Sequence, residues 1–327
     1  MKRLGFEFRW IVMLILSGLL LAAGCISPQI HLLSGGGGAL REVTLEGRGR
    51  DKVLMIPVTG VISDGPRRGL IGSQPGTVPE IVARLRKAET DPAVGAVVLK
   101  IDSPGGSATA SDLLYHEILR FKDRTGIRVV AALMNVAASG GYYVALPADR
   151  IIAHPTTVTG SVGVILMRPT VAGLMDKLGV AVSLNKSGEN KDMGSPFREI
   201  TAEEQRMLQL VVERLAGQFL DRVIKHRTID KADLGEIASA RIFLAEDARV
   251  LGLIDGIGYL DDAVTAAREL AGLPPDARVV AYRRREIPDD TVYGPAASAG
   301  ELSPSIKMPG LDLPTTGFYY LWPAAVR

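Results

Sequence analysis

The 327-residue chain predicts an α/β protein built on a largely parallel sheet. Three observations carry this. Short apolar runs of strand length alternate with segments of helical periodicity. Two of the runs end in glycine-rich turns, Ile101-Asp102-Ser103-Pro104-Gly105-Gly106 and Ala137-Ala138-Ser139-Gly140-Gly141-Tyr142-Tyr143. Aliphatic residues dominate the apolar fraction, and aromatics are only 5% of the chain, which suits an α/β core rather than a β-sandwich.

The first 24 residues stand apart from this pattern. Lys2, Arg3 and Arg9 make a positive start, and Trp10 to Ala23 is an apolar stretch of fourteen. Small residues at Ala22, Ala23 and Gly24 then offer a cleavage site. A membrane span needs about 20 apolar residues, so segment 1–24 reads first as a secretory signal and second as an uncleaved anchor. Cys25 is the single cysteine, which leaves no internal disulfide. Directly after Ala-Ala-Gly it resembles the lipobox of bacterial lipoproteins, with Ala22 where leucine is usual. That resemblance implies lipidation of Cys25. A soluble secreted product is the third reading.

Residues 25–50 read as a flexible tether, with Ser34 followed by Gly35 to Gly38 and alternating charges around Arg48-Gly49-Arg50. The body, 51–272, opens with a strand from Val53 to Val58. An exposed Gly/Pro/Arg loop fills 60–76, and Thr77 caps a helix to about Ala88 with Ile81, Val82 and Leu85 on one face. Strand 94–101 runs into the first glycine turn. Helix 108–122 follows, with Leu113, Leu114, Ile118 and Phe121 at helical spacing. Strand 127–134 leads to the second turn, where Ser139 opens a further helix. Asp149 to Ala153 reads as a strand and Thr156 to Gly163 as a turn.

The longest periodic segment is a helix from Ala202 to His226. Thr201 and Glu204 make a capping box at its start, and Met207, Leu208, Val211, Leu215, Phe219 and Val223 share a stripe. This is a core or subunit-contact helix. Residues 273–327 form an extended tail, without periodicity from 286 onward. Its aromatic end, Phe318-Tyr319-Tyr320-Leu321-Trp322-Pro323, reads as a segment that docks on a partner or occupies a groove.

Without residues 1–24 the 38 basic side chains fall to 35 and the 36 acidic ones to 35. A neutral body has no basic field for nucleic acid. Arg67-Arg68 and Arg283-Arg284-Arg285 read as solvated loops. The pattern calls for no metal and no cofactor.

A turn at a strand end presents backbone N–H groups, and glycine lets a reacting carbonyl approach them. One serine between two such turns points to acyl transfer, with a nucleophile beside an oxyanion hole. The base is open at this level. Of four histidines, His31 lies in the tether, His116 inside a helix, and His226 at a helix end, where a positive charge suits the dipole. His154, after a strand and before Pro155, is the histidine contender. A lysine serves only if burial lowers its pKa from about 10.4 toward 7–8. Lys191 lies in a polar loop that composition alone makes exposed.

Four motifs in register change that balance. Ile101 to Gly106, Ala138 to Tyr143, Thr159-Gly160-Ser161-Val162-Gly163-Val164, and Ser187-Gly188 followed by Lys191-Asp192 resemble the signal peptide peptidase A (protease IV) family. Arg241-Ile242-Phe243 through Ala248, then Leu251 to Asp255 and Gly258, are similar to that family's closing segment. The match covers roughly residues 50–270. It implies a ClpP/crotonase-like fold of repeated β-β-α units and a serine–lysine peptidase. Ser139 is then the nucleophile and Lys191 the general base. The N–H groups of Gly106 and Gly140 form the oxyanion hole, and Ser161 orients the lysine amine. The resemblance further implies cleaved signal peptides and other membrane-derived segments as substrates, with a groove near Val162 to Met167. It implies a membrane-anchored envelope location outside the cytoplasm, and a homo-oligomer whose active sites are shared between protomers. Two other classes compete: a catalytically silent membrane scaffold or chaperone ring, and a crotonase-type acyl-CoA enzyme. The export signal argues against the latter, because CoA esters are cytoplasmic.

Overall fold

The computed structural model of the protein describes residues 39–68, 73–284, 305–308, 311–314 and 317–325. The leader or anchor at 1–24, Cys25 and His31 lie outside them.

The main sheet has the order β1 (Arg41–Glu46), β13 (Arg278–Arg283), β2 (Lys52–Thr59), β5 (Val94–Ser103), β7 (Arg128–Ala138), β8 (Arg150–Ala153) and β12 (Gly256–Ile257). A branch leaves β7 through β9 (Val158–Gly160) to β11 (Ile242–Leu244). Pairing is parallel from β13 through to β12 and between β7 and β9. The antiparallel contacts are β1 on β13 and β11 on β9. A largely parallel sheet is therefore correct.

Such a sheet is covered on both faces, so its strands are continuous apolar runs rather than alternating ones. Strand β2 shows it: Leu54, Ile56 and Val58 enter one core, Val53 and Met55 the other. The larger core lies under helices Thr77–Glu89 and Ala108–Thr125, which contribute Ile81, Leu85, Leu114, Ile118 and Phe121. Helix Leu260–Ala271 closes the opposite face with Leu260, Ala263, Val264 and Ala267.

Four sequence expectations are corrected. Thr77 does not cap its helix: Gly76 holds that position, and the Thr77 hydroxyl donates to the Val61 carbonyl at 3.0 Å. The stretch 156–163 is not merely a turn, because it contains β9. Thr157 and Thr159 look turn-like but are fully buried, with the Thr157 hydroxyl donating to the Leu133 carbonyl and the Thr159 hydroxyl to that of Ala137. Arg283 ends β13 and is buried, and Arg284 pairs with Glu80, so these two are not in a solvated loop, and Arg285 lies outside the described residues. Finally, β1 and β13 add strands to the main sheet from the segments assigned to the tether and the tail.

Smaller sheets lie apart from it. Strands β3 (Arg67–Arg68) and β4 (Ser73–Gln74) make one ribbon, and β14 (Ser305–Met308) and β15 (Leu311–Pro314) another. The third bears on function. It places β16 (Gly317–Leu321) between β10 (Ile165–Met167) and β6 (Gly105–Ser107).

Candidate active site

The first glycine turn starts where β5 ends, and side chains on either side hold it. Asp102 Oδ1 accepts the Val136 N–H at 3.1 Å, tying the turn to β7. The Ser103 hydroxyl donates to the Gly60 carbonyl at 2.7 Å and accepts the Gly105 N–H at 3.1 Å. Gly105 sits at φ +100°, a conformation that side chains rarely adopt, and a Cβ there would stand 1.9 Å from the Tyr320 carbonyl oxygen. The turn needs glycine on both counts.

The second turn bears Ser139. Strand β7 ends at Ala138, and Ser139 adopts φ 53°, ψ −118° before the short helix Gly140–Ala145. Its N–H donates to the Gly160 carbonyl at 2.8 Å, it is 1% exposed, and its hydroxyl does not cap the helix. The two glycines that follow have no room for a side chain. A Cβ on Gly140 would lie 2.4 Å from Ser111 Oγ, and one on Gly141 would lie 2.5 Å from the Ser103 carbonyl oxygen. Hydrogen bonds from Tyr142 to the Leu253 carbonyl (2.6 Å) and from Tyr143 to Asp112 (2.7 Å) pin the helix. Burial raises both phenols above their ordinary pKa.

Ser161 comes next to this turn by sheet register. Ala138 pairs with Gly160 in parallel strands, so Ser139 and Ser161 leave adjacent strand ends together. Ser161 also has φ 53°, and its N–H donates to the Arg241 carbonyl at 2.8 Å.

Lys191 is not brought to them within one chain. It is exposed on the 3₁₀ turn Glu189–Asp192, and among the described residues no hydrogen bond joins it to Ser139 or Ser161. Its loop is nevertheless anchored. The Arg198 guanidinium donates to both oxygens of Asp192 (2.7 and 3.0 Å) and to Glu204 Oε2 (2.9 Å), and Lys186 donates to Asp192 at 2.7 Å. Glu204 completes the capping box with Thr201, so Arg198 ties the Lys191 loop to the start of helix Ala202–His226. The hydrogen bonds from Arg198 hold the Asp192 and Glu204 carboxyls well below their ordinary range. Sequence reading passed over Arg198, since an arginine in a polar loop carries no pattern of its own.

The histidines lie elsewhere. His154 bonds Thr156 at 2.9 Å and meets the Tyr259 ring edge-on, and His116 is exposed. His226 corrects the dipole expectation. It is half-buried against Tyr115, whose hydroxyl lies 2.7 Å from Nε2. Desolvation, reinforced by Lys225, Lys122, Arg222 and Arg227, lowers its pKa to about 4. The ring is neutral at pH 7.

Strand β16 crosses this centre. It pairs antiparallel with β10 (Ile165↔Tyr319, Met167↔Gly317) and with β6 (Tyr320↔Gly106, Leu321↔Gly105). Trp322 N–H donates to the Pro104 carbonyl at 2.9 Å. Antiparallel pairs two residues apart are of the same kind, so this register turns the Gly106 N–H toward the Tyr320 carbonyl. That carbonyl oxygen also lies 2.9 Å from where a Gly140 Cβ would be. The Tyr320 side chain is buried between Tyr143, stacked at 5.2 Å, and Phe219 at 4.9 Å, and its hydroxyl donates to the Leu215 carbonyl at 3.1 Å. Tyr143 stood in the second glycine motif without a role of its own, and Phe219 read only as part of the stripe of a core or subunit-contact helix.

A buried serine on a strained strand-to-helix turn, with the Gly106 N–H facing a carbonyl beside it, is an arrangement suited to acyl transfer. Comparison with known proteins agrees. The model of "Peptidase family S49" matches residues 121–274, which include Ser139, Ser161 and Lys191. A putative signal peptide peptidase SppA of Enterococcus faecium is 33% identical over 291 residues, covering 84% of this chain and 84% of that protein. Putative protease slr0021 of Synechocystis is 36% identical over 227 residues, covering 69% and 77%. Protease 4 of Haemophilus influenzae is 33% identical over 243 residues, but only 38% of its length is matched. The chain belongs to peptidase family S49, the family of signal peptide peptidase A and protease 4.

Proposed function

We propose that this chain is a serine–lysine endopeptidase acting on cleaved signal peptides and other membrane-derived segments. Family membership supplies the reaction class. The observation that carries the finer reading is β16, an extended polypeptide between β10 and β6 with its Tyr320 carbonyl against Gly105 and Gly140. A groove that accepts one strand in this way accepts a substrate strand by the same main-chain pairing.

In this reading Ser139 attacks the carbonyl, and the Gly106 and Gly140 N–H groups stabilise the oxyanion. One such donor is worth about 2.7–4 kcal/mol of barrier. The Lys191 amine takes the serine proton and returns it to the leaving nitrogen, while Ser161 orients the amine. An ammonium becomes a base only when desolvated, and Lys191 is exposed in the single chain. The reading therefore includes a homo-oligomer in which Lys191 of one chain enters the site of its neighbour. Exposed Leu178, Val180, Leu184, Phe197 and Leu210, around the Lys191 loop and on the following helix, offer apolar surface for that contact. Anchoring is assigned to segment 1–24 or to lipidated Cys25, on the outer side of the membrane. Among the described residues no helix is long and apolar enough to span one.

The test is hydrolysis of a synthetic signal peptide by the full chain in detergent. Wild type cleaves it, whereas Ser139→Ala and Lys191→Ala lose at least about 1,000-fold in kcat/KM while keeping their folded circular dichroism. Activity retained in Lys191→Ala but lost in His154→Ala would move the base to the histidine. A wild type that cleaves nothing would leave the silent scaffold.

A further inference from the structure

We propose that Asp102 is a positioning residue for catalysis: its carboxylate holds a bulge in β7 that draws Ser139 and Gly140 back against the first glycine turn. The inference rests on the peptidase reading of the same centre and adds the residue that sets the geometry of its oxyanion hole.

The register of β5 and β7 shows the bulge. Ile101 pairs with Leu133, yet the next pair is Ser103 with Ala137, so two steps on β5 face four on β7. A regular ladder would pair Ser103 with Asn135. At about 3.3 Å per residue, Ser139 would then lie roughly 6–7 Å farther along the strand. Because the excess is an even number of residues, the side chains keep their faces while the serine is drawn back. The result is close contact between the turns. A Cβ on Gly140 would stand 3.1 Å from Gly105 Cα, and one on Gly105 would stand 2.7 Å from the Gly140 nitrogen.

A bulge interrupts the ladder, and here side chains bond the main chain on both flanks of β7. On the β5 side, Asp102 Oδ1 accepts the Val136 N–H at 3.1 Å. On the other side β7 leaves β8 after Leu133 and takes up β9 at Val136, and the buried Thr157 hydroxyl donates to the Leu133 carbonyl at 2.9 Å. Of the two, Asp102 acts on both turns, since its own main chain leads through Ser103 to Gly105 and Gly106. One carboxylate oxygen thus fixes the Gly106 N–H relative to that of Gly140. The role asks for an acceptor at that point rather than for a charge, so an amide oxygen in the same place serves it.

The experiment uses the full chain in detergent and measures kcat and KM on a synthetic signal peptide, together with the inhibition constant of a peptide aldehyde. The aldehyde binds as a tetrahedral adduct of Ser139, so its constant reads the oxyanion hole and does not depend on the fraction of enzyme folded. Asp102→Ala is expected to lower kcat and weaken the aldehyde by about 100-fold each, with KM within about threefold of wild type. Asp102→Asn keeps the acceptor and stays within about fivefold of wild type on both measures. Asp102→Glu keeps the charge, displaces the acceptor and loses about tenfold or more. This Asn and Glu pair decides the outcome even where the alanine variant fails to fold. Wild-type aldehyde binding in Asp102→Ala or Asp102→Glu overturns the proposal. So does an active Glu variant beside an inactive Asn one, which would assign the effect to the negative charge near Lys100. In each of these cases wild type still cleaves the peptide, and the peptidase reading stands. A wild type that cuts nothing takes both readings down together.

Discussion

Ser139 holds φ 53°, ψ −118°, a backbone region that costs a side-chain-bearing residue about 1–3 kcal/mol. The surroundings enforce it: the Ser139 N–H is committed to Gly160, and Gly140 and Gly141 are wedged against Ser111 and Ser103. The strain lifts the serine out of the strand just before Gly140, whose Cβ position lies 2.9 Å from the Tyr320 carbonyl oxygen, so stability is given up for position. This separates two substitutions that both remove the hydroxyl. Ser139→Ala keeps the Cβ and the strain. Ser139→Gly removes both and pays about 0.5–1 kcal/mol in unfolded-chain entropy. The glycine variant is therefore expected to be the more stable by about 0.5–2 kcal/mol, with neither variant hydrolysing peptide. Thermal melts of the pair decide it: a glycine variant less stable than the alanine one by about 0.5–1 kcal/mol would mean that the turn stores no strain.

Helix Ala202–His226 joins the Lys191 loop to the Tyr320 contacts. Its start holds the Lys191 loop through Arg198 and Glu204, and its middle supplies Phe219 and the Leu215 carbonyl to the Tyr320 slot. At its end, His226 is held neutral, half-buried against Tyr115. The folded pKa of about 4 lies below the ordinary 6.5, so the unfolded chain binds more protons between those values. Stability from this group is thus full above pH 6.5 and is lost as pH falls toward 4. His226→Gln does not titrate, so its stability deficit against wild type at pH 7 should shrink by pH 4.5 in urea melts. A deficit that stays constant with pH would show that the imidazole is not held neutral. The bounds of this helix and its capping box were legible in the sequence because local periodicity and local hydrogen bonds set them. Its stripe was legible only in part, since Phe219 and Val223 are buried while Val211 is exposed. The two glycine turns were readable for the same local reason. Strand β9, the neutral His226 and the Arg198 bridge were not, because distant partners make them: Thr159 needs Ala137, His226 needs Tyr115, and Arg198 needs Glu204 to be folded into a cap.

At the scale of the whole molecule, the parallel sheet brings two serines and two glycine turns to one place but leaves the lysine in water. Ser139 is 1% exposed and Lys191 is exposed, and a serine–lysine mechanism requires them to meet away from solvent. Under the proposed mechanism, either the Lys191 loop folds inward on its own chain, or a neighbouring chain delivers its lysine. The Arg198 bridge to Asp192 and Glu204 argues for the second, because it fastens the loop to the outer end of the long helix. Mixing two inactive variants distinguishes these routes without knowledge of the number of subunits. Suppose Ser139→Ala and Lys191→Ala are co-expressed at equal levels and assemble at random through a head-to-tail contact. About a quarter of the sites then pair an intact Ser139 from one chain with an intact Lys191 from the next, and about a quarter of wild-type hydrolysis returns. If each chain completes its own site, every site carries one defect and the mixture stays inactive. Recovery should also vanish when Leu210→Lys is added to both chains, because a charge on the exposed apolar surface opposes the contact that shares the site. Full recovery despite that charge would place the shared contact elsewhere on the molecule.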